Sequence, residues 1–355
     1  MKEVRLPSTV VLELTYRCNH QCKFCSCPWY APSSSYPIGQ ELDTDQWKKA
    51  IDILYAEGVS MFSLSGGEVL LKEGFTDILR YIWEKGEQSR CHQQIAVISN
   101  GRAMKKEYLE LFKELDVQLS MSLPGYETFE YHTGVDNADG VLHWFQEAEA
   151  LGINTTVNVT VTQRNIHELF QTLSLGLING ANSLLLNRFL PGGRGFAHMD
   201  ELKLTREQTN EMLDVAEEVL GYSNRFGSVG TEIPLCAIKN PKKYQHLNIG
   251  YQCAAAKGFF VVDPSGNIRT CNHSPRIVGH IFDEAIITDV TYRNMFVAGN
   301  YQPEMCSSCK LSPSLRLRLQ GGCPHPPRES QSKGHKHPLR YITETGNVYL
   351  KRKRA

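Results

Sequence analysis

The run Cys18-Asn19-His20-Gln21-Cys22-Lys23-Phe24-Cys25 contains three thiols, with three residues between the first two and two residues between the last two. It follows the apolar residues 10–14, so we expect the thiols on a loop at the end of a β-strand. Converging thiolates suit an iron–sulfur cluster, which normally takes four cysteines, and a cluster held by three keeps one iron open. Zinc bound with the help of Cys27 is the alternative, although Cys25 and Cys27 are closer in sequence than zinc ligands usually are.

Composition narrows the class of protein. The 355 residues include 38 basic and 38 acidic side chains, so overall charge does not favour a nucleic acid as partner, and the basic end at residues 350–355 is expected to be solvated. No signal peptide opens the chain and no apolar run is long enough to span a membrane, which predicts a cytoplasmic protein without a membrane partner. In that reducing compartment, the 11 cysteines are expected to be metal ligands or redox groups rather than disulfides.

Strand-like and helix-like segments alternate through the first half of the chain. Helical spacing occurs after the cap at Asp43 and in residues 74–85, 104–115, 138–151 and 166–178. Between these segments lie β-rich runs at residues 10–14, 61–65, 94–99, 117–123, 155–161 and 183–190. This alternation predicts an α/β fold, a partial (β/α)6 TIM barrel over residues 8–195 with parallel strands and right-handed crossovers. Another amphipathic helix is predicted at residues 205–225.

Polar residues recur where the predicted strands end, which is where β/α barrels carry their chemistry. The second strand is followed by Gly66-Gly67-Glu68, in which the glycines allow close backbone approach to a ligand and the carboxylate can accept from an amine. The later strands contribute Ser99, Asn100, Ser122, Asn158 and Arg188. Together these residues predict a binding site at one end of the barrel.

The spacing CxxxCxxC, with the aromatic Phe24 before the last cysteine, resembles the radical S-adenosylmethionine (SAM) superfamily. The resemblance implies that Cys18, Cys22 and Cys25 hold a [4Fe-4S] cluster whose open iron is chelated by SAM. It also implies SAM contacts by a set of residues that matches the family's motifs or lies at equivalent strand ends: Phe24, Gly66, Gly67, Glu68, Ser99, Asn100, Ser122, Asn158 and Arg188. For Asn158 and Arg188, contact with the adenosyl group and contact with the substrate are both open.

Six further cysteines lie in the second half, which resembles the SPASM/twitch extension of that superfamily through Cys253, Gly266, Cys271, Cys306 and Cys309. The resemblance implies at least one auxiliary [4Fe-4S] cluster, with two possible ligand sets. One set is Cys236, Cys253, Cys271 and Cys323, and the other is Cys253, Cys271, Cys306 and Cys309. In the second set Cys236 is a candidate thiol hydrogen donor. We therefore expect a core with its following helix at residues 1–226, a Cys-rich auxiliary domain at 227–328, and a polar linker with a basic tail at 329–355.

The resemblance also implies a reaction. Radical SAM enzymes cleave SAM reductively to a 5′-deoxyadenosyl radical, which abstracts a hydrogen atom, and many members with this extension modify ribosomally made peptides. The leading hypothesis is therefore an enzyme that crosslinks, epimerises or oxidises a peptide, with an external flavodoxin- or ferredoxin-type electron donor. The alternatives are the same chemistry on a small molecule, such as alcohol dehydrogenation or side-chain modification of a tetrapyrrole, and a non-catalytic iron–sulfur or zinc protein.

Overall fold

A computed structural model describes residues 6–89, 93–251 and 253–298. Within these ranges, the first part of the chain forms six parallel strands, each paired with the next in sequence. They are β1 (Thr9–Glu13), β2 (Met61–Ser65), β3 (Gln94–Ser99), β4 (Gln118–Ser122), β5 (Thr155–Val161) and β6 (Ser183–Arg188). The partial (β/α)6 barrel is thus confirmed. Cys306, Cys309, Cys323 and the predicted tail at 329–355 lie outside the described residues.

Helices connect the strands and cover the sheet. They are α1 (Thr44–Ala56), α2 (Phe75–Ser89), α3 (Lys106–Glu114), α4 (Phe129–Thr133), α5 (Ala138–Ala150), α6 (Leu169–Ile178), α7 (Met199–Leu202), α8 (Arg206–Ser223) and α9 (Val290–Val297). Asp43 caps α1 in a reciprocal hydrogen-bond pair with Gln46, and Thr205 caps α8 in the same way with Gln208. These caps satisfy backbone donors that the first helical turn leaves unpaired, which is why both helices begin where the sequence predicts.

The core lies between the strands and the helices that cover them. Trp47 and Ile51 of α1 are fully buried, as are Phe62 of β2 and Phe112 of α3. Burying a side chain of this size stabilises the fold by about 1.5–3 kcal/mol relative to leaving it in water. The packing holds the strand ends, and hence the loops that follow them, in fixed positions.

The sheet continues beyond the six predicted strands at both edges. On one side β7 (Gly227–Val229) and β8 (Leu247–Ile249) follow β6 in parallel. On the other side β9 (Phe260–Val262) pairs in parallel with β1, and β10 (Asn267–Arg269) and β11 (Ile277–His280) follow in antiparallel pairing. The division between residues 226 and 227 stays a prediction, but the residues just beyond it join the sheet of the barrel.

Strands β9 and β10 pair in antiparallel as a hairpin. Asp263 is fully buried in its turn, where Oδ1 accepts hydrogen bonds from the backbone N–H groups of Ser265 (2.9 Å) and Asn267 (2.8 Å). Its Oδ2 accepts one from the Tyr36 hydroxyl at 2.6 Å. Because β9 lies against β1, the hairpin places Cys271 beside the strand that leads into the thiol loop.

Candidate functional site

A cavity of about 300 Å³ opens at the carboxyl ends of the barrel strands. The three thiols of the opening motif and every residue predicted to contact SAM line it: Cys18, Cys22, Cys25, Phe24, Gly66, Gly67, Glu68, Ser99, Asn100, Ser122, Asn158 and Arg188. Ser122 and Asn158 are register partners on β4 and β5. The fold thus brings residues from six different strands and loops around one space.

The thiol loop is held in shape by the end of α4. Its backbone N–H groups at Gln21 and Lys23 donate to the carbonyl oxygens of Thr133 and His132, both at 2.8 Å. The His132 ring is itself fully buried and within hydrogen-bond distance of the Thr162 hydroxyl at 2.9 Å. These contacts fix the course of the thiol loop against the end of α4.

The three thiols lie close enough to influence one another's ionisation. Burial raises the pKa of Cys18 to about 11, and burial together with the charges of Cys25 and Cys18 raises that of Cys22. In Cys25 a hydrogen bond with Cys27 lowers the thiol pKa, although burial opposes it. A metal centre held by Cys18 and Cys22 would therefore have to displace their protons.

A mononuclear metal site and a cluster demand different spacing from these thiols. Among the described residues, no three His, Cys, Asp or Glu side chains converge on the position of a single metal ion. A [4Fe-4S] cluster requires less convergence, because each thiolate binds a different iron. The spacing and sulfur chemistry of the loop fit that group.

The two glycines after β2 are required by the neighbouring loop of the chain itself. A Cβ atom at Gly67 would lie 2.2 Å from the carbonyl oxygen of Arg17, and Gly66 has a φ of +147°. The backbone N–H of Gly67 donates to the carbonyl of Thr15 at 2.8 Å. The sequence suggested that these glycines admit a ligand, but they also let the loop after β2 lie directly against the loop after β1.

Glu68 is buried, at 2 % exposure, and is already engaged by protein donors. Its Oε1 accepts from the Ser99 hydroxyl at 2.7 Å and from the Leu70 N–H at 3.2 Å, and Oε2 accepts from the Asn100 N–H at 2.8 Å. Burial raises the pKa of this carboxyl, and the three hydrogen bonds oppose the rise. A carboxylate has about four acceptor positions, so one on Oε2 remains for a cationic amine.

The loop after β3 connects Glu68 to the thiols. The Asn100 amide donates to the side-chain oxygen of Asn19 at 2.8 Å and lies 3.8 Å from the Cys18 sulfur. Arg102 donates to the Asn19 carbonyl at 2.6 Å. The end of β3 and the thiol loop are thus joined by several hydrogen bonds, which fixes the position of Cys18.

The loop after β6 returns to the thiols and contributes a cation that the sequence did not single out. Arg194 donates to the Cys22 carbonyl at 3.2 Å, and its guanidinium lies 4.6 Å from the centre of the Tyr30 ring. Its charge lowers the pKa of all three thiols, although burial outweighs it for Cys18 and Cys22. The signal in the sequence is that Arg194 follows Gly192-Gly193 in the loop that begins after the last barrel strand.

A fully buried ion pair between β1 and β10 was also missed in the sequence. Glu13, at the end of β1, pairs with Arg269, at the end of β10. Arg269 also donates to the carbonyl oxygens of Cys271 (3.3 Å), Asn272 (3.0 Å) and Ser274 (3.0 Å). Burial lowers the pKa of Arg269, but the opposing interactions, chiefly with the Glu13 carboxylate, raise it by more than burial lowers it, so the guanidinium stays charged. The sequence signal for this pair was Glu13, a glutamate within an otherwise apolar strand.

Arg188 occupies the end of β6 in a partly buried position. Its backbone N–H donates to the Thr231 hydroxyl at 2.7 Å, while its side-chain Nε is enclosed and has no hydrogen-bond partner among the described residues. Burial lowers its pKa to about 10, and the charge of Glu232 partly opposes this. The guanidinium is charged at neutral pH and lines the cavity.

Three cysteines of the second half, Cys236, Cys253 and Cys271, fall within the described residues. Cys253 and Cys271 are both buried in one apolar cluster with Phe259 and Phe296, close enough for the charge of Cys271 to influence Cys253. Cys236 lies in a short turn whose carbonyl accepts from Arg206 at 2.7 Å. It is not among the described residues that line the cavity.

Comparison with known proteins identifies the family. The model of the radical SAM superfamily matches residues 12–175. The AdoMet-dependent heme synthase of Methanosarcina barkeri is 31% identical over 301 residues, which cover 78% of this chain and 80% of the relative. The chain belongs to the radical SAM superfamily. It is therefore an enzyme that uses S-adenosylmethionine and a [4Fe-4S] cluster.

Other relatives of this radical SAM enzyme extend the match. The PqqA peptide cyclase of Bradyrhizobium diazoefficiens is 24% identical over 335 residues, or 90% of this chain and 81% of the relative. The structure of Streptococcus suis SuiB bound to precursor peptide SuiA superposes with a TM-score of 0.64 at 14% identity, covering 86% of this chain and 70% of SuiB. Within the described part of the chain, no helix is both long and apolar enough to cross a membrane.

Proposed function

We propose that this radical SAM enzyme modifies a ribosomally synthesised peptide by abstracting a hydrogen atom from it. The observation that carries the proposal is the alignment of nine tenths of the chain with an enzyme named as a peptide cyclase. The shared fold with SuiB, solved with its precursor peptide, also supports it. Crosslinking, epimerisation and oxidation all begin with the same abstraction.

The proposed cofactor site uses the residues that surround the cavity. Cys18, Cys22 and Cys25 are the proposed cluster ligands, and the lone pair left on Glu68 is the proposed acceptor for the amino group of SAM. Further proposed SAM contacts come from the loops and strand ends around them: Phe24, Gly66, Gly67, Ser99, Asn100, Ser122 and Asn158. Bound there, the cluster and SAM supply a radical that removes a hydrogen atom from carbon.

The protein's own part in the reaction is to position and to shield. Glu68 holds its orientation through Ser99 and Asn100, so it presents the same oxygen to each incoming amine. Tyr30 and Arg194 stack over the thiol loop and keep water away from it. A dry, rigid cavity is what a reactive carbon radical needs, because any mobile hydrogen donor would consume it.

We also propose an auxiliary [4Fe-4S] cluster at Cys253 and Cys271. The two thiols are buried together beside β1, and both ligand sets implied by the sequence contain this pair. One cluster adds about four irons per chain, so reconstituted protein should lose that number on Cys271→Ala substitution. The proposed electron source for the first cluster is a flavodoxin- or ferredoxin-type protein.

A second candidate function is the same chemistry on a tetrapyrrole or another small molecule. It is favoured by the relative of highest identity reported above, which is named as a heme synthase. A peptide and a tetrapyrrole both require a cavity open at the strand ends, so shape alone does not separate them. The molecule that supplies the abstracted hydrogen atom distinguishes the two candidate functions.

The experiment identifies the molecule from which the hydrogen atom is abstracted. Reconstituted enzyme is reduced anaerobically with SAM and short peptides encoded beside its gene, each made with deuterated amino acids, and in parallel with a deuterated porphyrin. Deuterium in the released 5′-deoxyadenosine together with a mass change in one peptide supports peptide modification. Deuterium transfer from the porphyrin alone would support the second candidate instead.

The cluster assignment has a matched pair of variants in the same loop. Cys22→Ala should lose the iron of the first cluster and the cleavage of SAM, because two thiolates do not hold the cluster. Cys27→Ala, two residues beyond the motif, should retain both the iron of the first cluster and the cleavage of SAM. Equal iron content in Cys22→Ala and the unsubstituted protein would refute the proposed ligands.

A further inference from the structure

Arg188 lines the cavity without a direct carboxylate contact among the described residues, although the charge of Glu232 is near enough to raise its pKa. Among the described residues its Nε makes no hydrogen bond, and no ion pair involves its side chain. The guanidinium of Arg269, by contrast, binds Glu13 and three carbonyl oxygens, and that of Arg194 donates to Cys22 and stacks on Tyr30. The Nε of Arg188 is thus a buried donor left for a group inside the cavity.

A charge removed from water is costly unless it is paired, so a partly buried guanidinium without a direct ion pair favours an anionic ligand. Its planar fork of N–H donors matches a carboxylate with two parallel hydrogen bonds. The Thr231 hydroxyl accepts from the backbone N–H of Arg188 and holds the strand end that carries the side chain. The residue is thus anchored at its backbone, while its side-chain Nε has no hydrogen-bond partner among the described residues.

Two carboxylates can enter this cavity, that of SAM and one of the substrate. In the superfamily the amino-acid end of SAM binds the open iron beside the thiols, where Arg194 is the cation at hand. Arg188 lies on β6, four strand positions from β2 and its Gly66-Gly67-Glu68 loop. Because Arg194 already lies at the thiol loop, Arg188 at the end of β6 is left for a carboxylate of the substrate.

We infer that Arg188 binds a carboxylate of the substrate, which in a peptide is an Asp or Glu side chain or a free C-terminus. That the carboxylate belongs to a peptide rests on the proposed function, whereas the pairing of Arg188 with a carboxylate does not depend on it. Substrates without an acidic group near the reacting carbon then bind poorly, because they leave the guanidinium buried and unpaired.

The test is affinity selection on the reconstituted enzyme with SAM present, using a synthetic library of random peptides as free acids and as C-terminal amides, read by mass spectrometry. The unsubstituted enzyme should retain acidic peptides about tenfold over their Asn, Gln or amide counterparts. Arg188→Gln should lose this preference, and Arg188→Lys, which keeps the charge but not the planar fork, should retain only part of it. Arg188→Glu should instead favour peptides with Lys or Arg. Iron content of each variant checks that it folds.

Binding of radiolabelled SAM by equilibrium dialysis separates the two carboxylates. Arg188→Gln should bind SAM within about twofold of the unsubstituted enzyme, whereas the matched variant Arg194→Gln should weaken SAM binding about tenfold without altering peptide selection. Tenfold weaker SAM binding in Arg188→Gln, with acidic peptides still preferred, overturns the inference.

Glutarate, a free dicarboxylate, distinguishes failure of the inference from failure of the proposed function. If no peptide is retained but glutarate binds the unsubstituted enzyme and not Arg188→Gln, the carboxylate site stands and the peptide substrate does not. If neither peptide selection nor glutarate binding depends on residue 188, the inference is wrong, whatever the deuterium experiment reports about peptides.

Discussion

A hydrogen atom in place of a side chain at Gly67 lets two loops of the barrel touch. The backbone of Gly67 and Glu68 donates to Thr15 and Arg17, so the acidic loop after β2 is attached to the segment that leads into the thiols. The neighbouring atoms are backbone, which cannot move aside as a flexible side chain would. Geometry at this residue therefore determines the spacing between the proposed SAM-binding and cluster-binding loops.

Gly67→Ala is expected to lower the free energy of unfolding by about 1–3 kcal/mol, because its Cβ would overlap the Arg17 carbonyl. The matched control is Gly221→Ala in α8, where the nearest atom would be 3.8 Å away and the change should stabilise the helix by about 0.5–1 kcal/mol. Urea denaturation of the metal-free protein under reducing conditions measures both. The same sign for the two variants would contradict the steric argument.

At the scale of single elements, the Glu13–Arg269 pair joins the end of β1 to the end of β10. Through its three carbonyl contacts Arg269 also shapes the loop that carries Cys271 and brings Asn272 and His273 to the cavity wall. The proposed auxiliary-cluster loop and the cavity are thus held by one guanidinium.

Arg269→Met should cost about 3–5 kcal/mol of unfolding free energy, because it leaves the Glu13 carboxylate buried without its partner. The double variant Glu13→Leu with Arg269→Met should recover part of that loss, since neither charge then remains. A double-mutant cycle from urea unfolding measures the coupling. If the two side chains do not interact, the costs of the two single substitutions add. The double variant would then be less stable than Arg269→Met by the full cost of Glu13→Leu alone.

Another element-scale contact attaches β8 to α8. Glu217 of α8 accepts hydrogen bonds from the backbone N–H groups of Gln245 (2.8 Å), His246 (3.1 Å) and Leu247 (3.1 Å). Burial raises the pKa of Glu217, but these donors and the His246 ring hold it below the ordinary value of 4.5. The carboxylate therefore stabilises the fold wherever it is ionised.

The pH dependence follows from the direction of that shift. A carboxyl whose pKa is lower in the folded chain adds stability above its unfolded pKa and loses it as the pH falls through the folded value. Glu217→Gln should lower the unfolding free energy by about 1–2 kcal/mol at pH 7 and make little difference near pH 3. Urea unfolding of both proteins at several pH values measures the difference in unfolding free energy. An equal difference at pH 3 and at pH 7 would count against a contact that requires the ionised carboxylate.

At the scale of the whole molecule, one sheet of eleven strands runs through the described residues, with β9 beside β1 at one edge of the barrel and β7 and β8 at the other. The Cys-rich half is therefore paired at the backbone to both ends of the barrel rather than attached by a linker. We expect the two halves to unfold together.

Native-state hydrogen exchange tests that expectation. Amides of Val261 and Val262 in β9 should open with the same free energy and the same urea dependence as those of Val11 and Leu12 in β1, because one cooperative unit contains both strands. Exchange of the β7–β10 amides at clearly lower urea would instead support a separate domain beginning at residue 227.

The sequence predicted the barrel strands well because the signal there is local. The bounds of β2, β3 and β5 match the predicted runs, since each is an apolar or β-branched stretch bordered by turns. Strand β7 was taken for a boundary because Gly227-Ser228-Val229 resembles a loop, and only its pairing with β6 makes it a strand. Nor could local patterns predict the Glu13–Arg269 pair, whose partners are far apart in the chain.

The position of β1 between β2 and β9 has a consequence for biosynthesis. Translation supplies β2 early, but Phe260–Val262 leave the ribosome only after the rest of the barrel has been made. Until then, the nascent chain carries an apolar strand with one unpaired edge directly beside its sulfur-rich loop. A chain stalled at that stage keeps the edge open and is prone to aggregate, so completion of the last strands protects the first.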